Sequence, residues 1–166
     1  SKIFPWIIIF DGNHERRARR NIKKKVVRGI NGVIDNRIPL DDVTRFFDNV
    51  DYVPHYLVQI GDLVAAHPDH FSKIPARTVV NELDNLLGNE HQKEFDEFNV
   101  VSIGHTHKLN KVFNKGYLVL ETGCMCHNID YKKEKNTAEK WQPGYAVHYM
   151  EDCKVIKNKT KIVSLT

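Results

Sequence analysis

The chain has 166 residues, 41% of them hydrophobic, and a formal net charge of +4. That suits one compact domain spanning residues 1–166, and no apolar run approaches the ~20 residues of a membrane-spanning helix. Three cysteines, Cys124, Cys126 and Cys153, are too few for a disulfide framework and fit a reducing, cytoplasmic setting.

Residues 3–10 are almost all apolar, the pattern of a central strand buried on both faces. No small-residue cleavage pattern follows them, so they read as a strand and not as a signal peptide. Gly12-Asn13-His14-Glu15 then forms a polar turn. Residues 13–29 lack proline and are rich in Arg and Lys, so they read as a helix. Its basic cluster, from Arg16 and Arg17 to Arg28, is either a solvated face or a phosphate-binding patch. Pro39-Leu40-Asp41-Asp42 resembles a helix start, with a short helix running to Phe47.

"HYLVQIGDLVAAH" reads as a β-hairpin with Gly61-Asp62 at its turn, which makes Asp62 a turn residue. The spacing of Val79, Val80, Leu83, Leu86 and Leu87 predicts a helix over Pro75 to Leu87. Gln92 to Phe98 is a second, shorter helix candidate. "NVVSIGHTHK" returns to strand composition, and "KVFNKGYLVLE" is a hairpin with Asn114-Lys115-Gly116 at its tip. Residues 130–140 are polar and Lys-rich, an exposed loop. The C-terminal segment closes with two or three strands. Helices among early strands and hairpins late predict an α/β fold, a mixed β-sandwich flanked by helices.

Three turns carry metal-type ligands directly after strands: Asn13-His14, His67 with His70 close behind, and Gly104-His105-Thr106-His107. Any single histidine is most often a surface or satisfied core residue. The His-x-His pair says more, because alternate residues of an extended segment face one way and bring two imidazoles to one cleft. The preceding glycine allows a close backbone approach. Strand-end turns at one edge of an α/β sheet are where ligands bind, and neutral imidazole suits manganese, iron, zinc or nickel. Cys124-x-Cys126-His127 lacks the ligand number and spacing of a zinc site and reads as a loop that buries thiols. His70 reads as a surface residue or a supporting neighbour of the site.

"FDGNHE", "VAAHPDHFS" and "VSIGHTHK", in this order, resemble the last three motifs of the calcineurin-like metallophosphoesterases. "ETGCMC" and "WQPGYAV" resemble members of that family encoded by phages and bacteria. The resemblance covers about residues 7–150. It implies a dinuclear centre of two divalent ions, manganese first among them, in a β-sandwich flanked by helices. Asn13, His67 and His105 would hold one ion and His107 the other. His14 would protonate the leaving group or steady the transition state, Glu15 would orient His14, and Arg16 or Arg17 would contact phosphate. A hydroxide bridging the two ions would cleave a phosphomonoester or phosphodiester.

The family's two earlier motifs, an Asp-x-His turn and a Gly-Asp-x-x-Asp variant, do not precede Gly12. Gly61-Asp62 follows the Asn-His turn and cannot replace the second. The expectation is therefore an N-terminally incomplete domain, its missing piece belonging to the same protein or to a partner chain. Besides a phosphoesterase acting on nucleotides or nucleic acid, two other classes fit these residues. One is a non-catalytic binding scaffold on the same fold. The other is a nucleic-acid-binding module using the basic helix, with steeply salt-dependent affinity.

Overall fold

The computed structural model describes residues 7–10, 12, 48–88, 95–125 and 141–165. The chain divides into two compact units, Ser1–Tyr56 and Leu57–Thr166.

In the first unit, β1 (Ile7–Phe10) pairs in parallel with β2 (Val50–Val53), in the register Ile7 to Val50 and Phe10 to Val53. The expectation of a strand buried on both faces is corrected here. Ile8 is 37% exposed and its neighbours are only half-buried. The apolar run is real, but β2 is the one strand partner β1 has among the described residues. The basic helix after Gly12 and the short helix before Phe47 lie outside the described residues.

The second unit is built on a five-stranded sheet in the order β3-β4-β5-β7-β6. The strands β3 (Leu57–Ile60) and β4 (Leu63–Ala66) form the hairpin read from sequence, with Gly61-Asp62 at its turn. A helix, α1 (Arg77–Gly88), then leads to β5 (Val100–Ile103), which lies parallel to β4. Next come β6 (Leu109–Asn114) and β7 (Tyr117–Thr122), an antiparallel hairpin. Its turn, Lys115-Gly116, has φ of 50° and 86°. Positive values at both positions match the twist of the strands that such a turn joins. β7 runs parallel to β5, so β4, β5 and β7 form a parallel centre flanked by antiparallel edges.

Both faces of this centre are covered, which explains the unbroken apolar runs of its strands. Side chains alternate across a strand. Val64, Ala66, Val101, Ile103 and Val119 pack with Val79, Leu83 and Leu86 of α1. Leu63, Val100, Leu118 and Leu120 face the other way, against Val155, Ala146, Met150 and Ile162. The residues of this second layer come from four short strands, where the sequence suggested two or three. They are β8 (Gly144–Val147), β9 (Met150–Glu151), β10 (Lys154–Val155) and β11 (Lys161–Ser164), paired antiparallel as β8–β11 and β9–β10. The turn Asp152-Cys153 adds the extra break, with φ of 48° and 61°. The protein is thus a mixed α/β fold whose central sheet is packed between a helix and a small β layer.

The candidate helix from Gln92 to Phe98 is corrected where it can be seen. Residues 95–98 are irregular, and 92–94 lie outside the described residues. Gln59 explains the irregular path. Its side chain accepts from the Asp96 backbone N–H at 3.1 Å and donates to the Asp96 carbonyl at 3.4 Å. Those bonds hold the segment against the sheet edge in place of helical ones.

Asp62 confirms its reading as a turn residue. Its buried carboxylate accepts from the Val155 backbone N–H at 2.7 Å and from the Asn99 amide at 3.3 Å. Its own N–H donates to the Cys153 carbonyl at 2.9 Å. One acidic side chain therefore joins the β3–β4 turn, the entry to β5 and the β9–β10 hairpin. Among the described residues no helix is long and apolar enough to cross a membrane.

Candidate metal centre

Parallel pairing of β4 with β5 puts their carboxyl ends at one sheet edge. His67 follows directly on Ala66, and Gly104-His105 follows directly on Ile103, the register partner of Ala66. The Gly104 N–H donates to the Ala66 carbonyl at 3.0 Å, extending the ladder one step beyond the strands. The imidazoles of His67 and His105 meet here, edge to face, with ring centroids 5.4 Å apart. A Cβ on Gly104 would sit 3.1 Å from His67 Nδ1. The glycine is therefore what lets the His67 ring lie against the β5 backbone, the close approach its position suggested.

The His-x-His segment is not extended, and that expectation is corrected. His105 has φ of 73° and His107 of 56°. The Thr106 N–H donates back to the Gly104 carbonyl at 2.9 Å. With a positive φ at its centre, that closes a three-residue turn of the rare, strained kind. Left-handed backbone costs about 1–2 kcal/mol for a residue with a Cβ. Two such histidines in one short turn mark it as held by its surroundings. Those surroundings are visible. Thr106 is buried, its Oγ1 accepts from the Lys108 N–H, and the His107 carbonyl accepts from the Gln142 N–H at 2.8 Å. The His107 ring stands edge to face on Trp141 at 4.7 Å between centroids.

The structure thus brings His67 and His105 together and sets His107 against Trp141. Asn13, His14, Glu15, Arg16 and Arg17 lie outside the described residues, as does Cys126. Cys124 is buried, its Sγ 3.8 Å from the Gln142 carbonyl oxygen. His70 is exposed, with Nε2 3.8 Å from the buried Glu82 carboxylate, in keeping with a supporting or surface role. His67 and His105 are donors of the kind that zinc or manganese accept. Among the described residues, however, no group of three or more His, Cys, Asp or Glu side chains could hold an ion. A metal site normally needs at least three protein ligands, so the described residues do not by themselves form one.

Three features escaped the sequence reading. Phe71 lies edge-on to His105, 6.5 Å between centroids. Its signal was an aromatic residue in a polar loop straight after the histidines. Glu121, an acidic residue inside the apolar run "YLVLET", is fully buried. Its Oε2 accepts from the Ala76 N–H at 3.0 Å, at the start of α1, and from the Asn110 amide. A carboxylate there also suits the positive end of the helix. It fixes the loop from His67 to Ala76 on the sheet. The third is a polar cluster on the opposite face, where His148 Nε2 meets Ser102 Oγ at 3.2 Å and Nδ1 meets Thr160 Oγ1 at 3.5 Å. Burial, and then the nearby Lys111 ammonium, hold the His148 imidazole below its ordinary pKa.

No protein-family profile and no curated protein matches the chain. Solved structures do match. A Vps29 single mutant from Entamoeba histolytica aligns over 96% of this chain and 99% of that one, at 15% identity and a TM-score of 0.43. Wild-type Vps29 from the same organism, complexed with zinc, aligns over 72% of this chain and 65% of that one, at 13% identity and a TM-score of 0.39. A predicted phosphoesterase from Streptococcus pneumoniae aligns over 95% of this chain and 96% of that one, at 13% identity and a TM-score of 0.36. At such identities and scores, none of these proteins' roles passes to this chain.

Proposed function

We propose that this protein is a cytoplasmic, divalent-metal-dependent phosphoesterase whose reaction centre lies at the carboxyl edge of the β4–β5 pair. The observation that carries the reading is the meeting of His67 and His105, two strand-end imidazoles held by a glycine contact and a strained turn. Strained backbone of the kind seen at His105 clusters at functional sites, where it holds side chains in place.

His67 and His105 would hold one ion. Asn13 as a further ligand, and His107 as a ligand to a second ion, are part of the proposal and rest on the sequence motifs. Bound divalent ions would supply positive charge against the phosphoryl oxygens and lower the pKa of a bound water. The chain's own chemistry is proton delivery and positioning. His14 would give its proton to the departing ester oxygen, a task for a group that titrates near neutrality. Glu15 would accept from the other ring nitrogen and fix the tautomer, and Arg16 or Arg17 would steady the phosphate.

The test is manganese-dependent hydrolysis of a generic phosphodiester, run beside metal analysis of the purified protein. His67→Ala and His105→Ala should each lower both metal content and rate at least tenfold, a loss of the size seen when the support of a metal ligand is removed. A protein that binds no metal and hydrolyses no phosphoester would favour a non-catalytic scaffold instead. Unchanged rates in both variants would show that the histidine pair is not the centre.

A further inference from the structure

Phe71 presents a large aromatic ring to solvent beside the candidate centre, with 46% of the residue exposed. An isolated exposed phenylalanine is ordinary and would carry nothing. This one is fixed on two sides. Its ring stands at 83° to the His105 imidazole, 6.5 Å between centroids. The Lys108 ammonium lies 4.8 Å from the ring centroid. Lys108 is itself buried, and its Nζ donates to the Ser72 carbonyl at 2.8 Å. The cation is therefore anchored to the residue following Phe71, and it holds the ring by cation–π attraction.

A clamped, half-exposed ring differs from a loose one in what it can bind. A planar ligand stacked on it loses its own freedom, but the protein side chain has little left to lose, so more of the stacking energy appears as affinity. One face of the ring is already engaged by Lys108, and the ring lies next to His105, one of the histidine pair. A group resting there would be joined to a phosphate at the His67–His105 edge by a short linker such as one ribose.

We infer that Phe71 is a stacking platform that selects phosphoesters carrying a planar aromatic group, nucleotides above all, over esters of simple alcohols or sugars. The inference rests on the phosphoesterase reading for the position of the phosphate, but it is judged by binding. Base–aromatic stacking measured by alanine substitution corresponds to roughly 5- to 150-fold in affinity.

The experiment is calorimetric titration of the manganese-loaded protein with AMP and, separately, with ribose 5-phosphate, which lacks only the base. AMP should bind at least about fivefold more tightly. Phe71→Ala should erase the advantage while leaving ribose 5-phosphate unchanged, and Phe71→Tyr should restore it. Equal affinities in the parent protein overturn the inference. So do an advantage that survives Phe71→Ala, an equal loss on both ligands, and failure of either ligand to bind. Manganese-dependent hydrolysis of glycerol 2-phosphate, measured alongside, separates the two failures. If it proceeds while AMP shows no advantage, the platform is wrong and the phosphoesterase reading stands. If no phosphoester is hydrolysed, that reading fails, and the two titrations still decide the role of Phe71.

Discussion

Replacing Gly104 by alanine separates the geometry of the histidine pair from the stability of the fold. The backbone at Gly104 is not left-handed, so alanine meets no conformational penalty there. It even narrows the unfolded ensemble, which favours folding by about 0.4–1 kcal/mol. Against this, the new methyl would lie 3.1 Å from His67 Nδ1, where ordinary contact begins at 3.4 Å. The half-buried His67 ring must retreat by the difference, a few tenths of an ångström. The two effects are of similar size, so stability should stay within about 1 kcal/mol of the parent. Catalysis is less forgiving, since a misplacement of 1 Å can cost about 100-fold. Scaled to a third of that distance, the manganese-dependent rate should fall roughly fourfold. Urea unfolding of the metal-free protein and initial rates on a phosphodiester read the two quantities. A rate within experimental error of the parent would refute the claim that Gly104 sets the His67 position. A stability loss above about 3 kcal/mol would show instead that the glycine serves folding.

Gly61→Ala should behave in the opposite way. The residue has φ of 57°, and a Cβ there would overlap the Cys153 carbonyl oxygen. Left-handed strain of about 1–2 kcal/mol adds to loss of the Asp62–Cys153 and Asp62–Val155 hydrogen bonds, the second to a charged carboxylate. A loss of about 4 kcal/mol, seen as a lower urea midpoint at unchanged slope, is expected; a loss below about 1 kcal/mol would contradict the hub role of this turn. His148 makes a pH prediction. Its folded pKa lies below the ordinary 6.5, so as pH falls the unfolded chain takes up the proton first. Stability from this group is full above 6.5 and is lost as pH drops through that value toward the folded pKa. His148→Gln should flatten that loss, and an NMR titration of His148 with a midpoint at or above 6.5 would overturn the account.

The legible parts of the fold were those set by local chemistry. The β3–β4 and β6–β7 hairpins and α1 all follow from short-range signals: glycine at turns, strand composition, and the spacing of Val79, Leu83 and Leu86. The failures have a common cause. Gln92–Phe98 has helical composition, but Gln59, far away in sequence, holds residue 96 by side-chain bonds that no local pattern reveals. The apolar run at β1 marks a strand without saying how many neighbours cover it. The buried carboxylates of Asp62 and Glu121 likewise acquire their roles from strands and loops remote in the chain.

The candidate site shows the same division more sharply. The sequence supplies the ligand types and the glycine, because both are properties of single positions. It does not supply the path of the backbone between the two histidines of His-x-His. An extended segment would send both imidazoles to one side, whereas the turn at His105 and the left-handed His107 divide them, one toward His67 and one onto Trp141. That division depends on the parallel pairing of β4 with β5, which sets His67 opposite the turn, and on Gln142, which holds the His107 carbonyl from a later part of the chain. Two left-handed residues would cost about 2–4 kcal/mol if nothing compensated. The compensation comes from the buried Thr106 and from the bonds at Gly104 and His107, whose partners Ala66 and Gln142 lie elsewhere in the chain. The fold thus orders the segment that separates the two histidines, and under the proposed function His105 and His107 have different surroundings for different tasks.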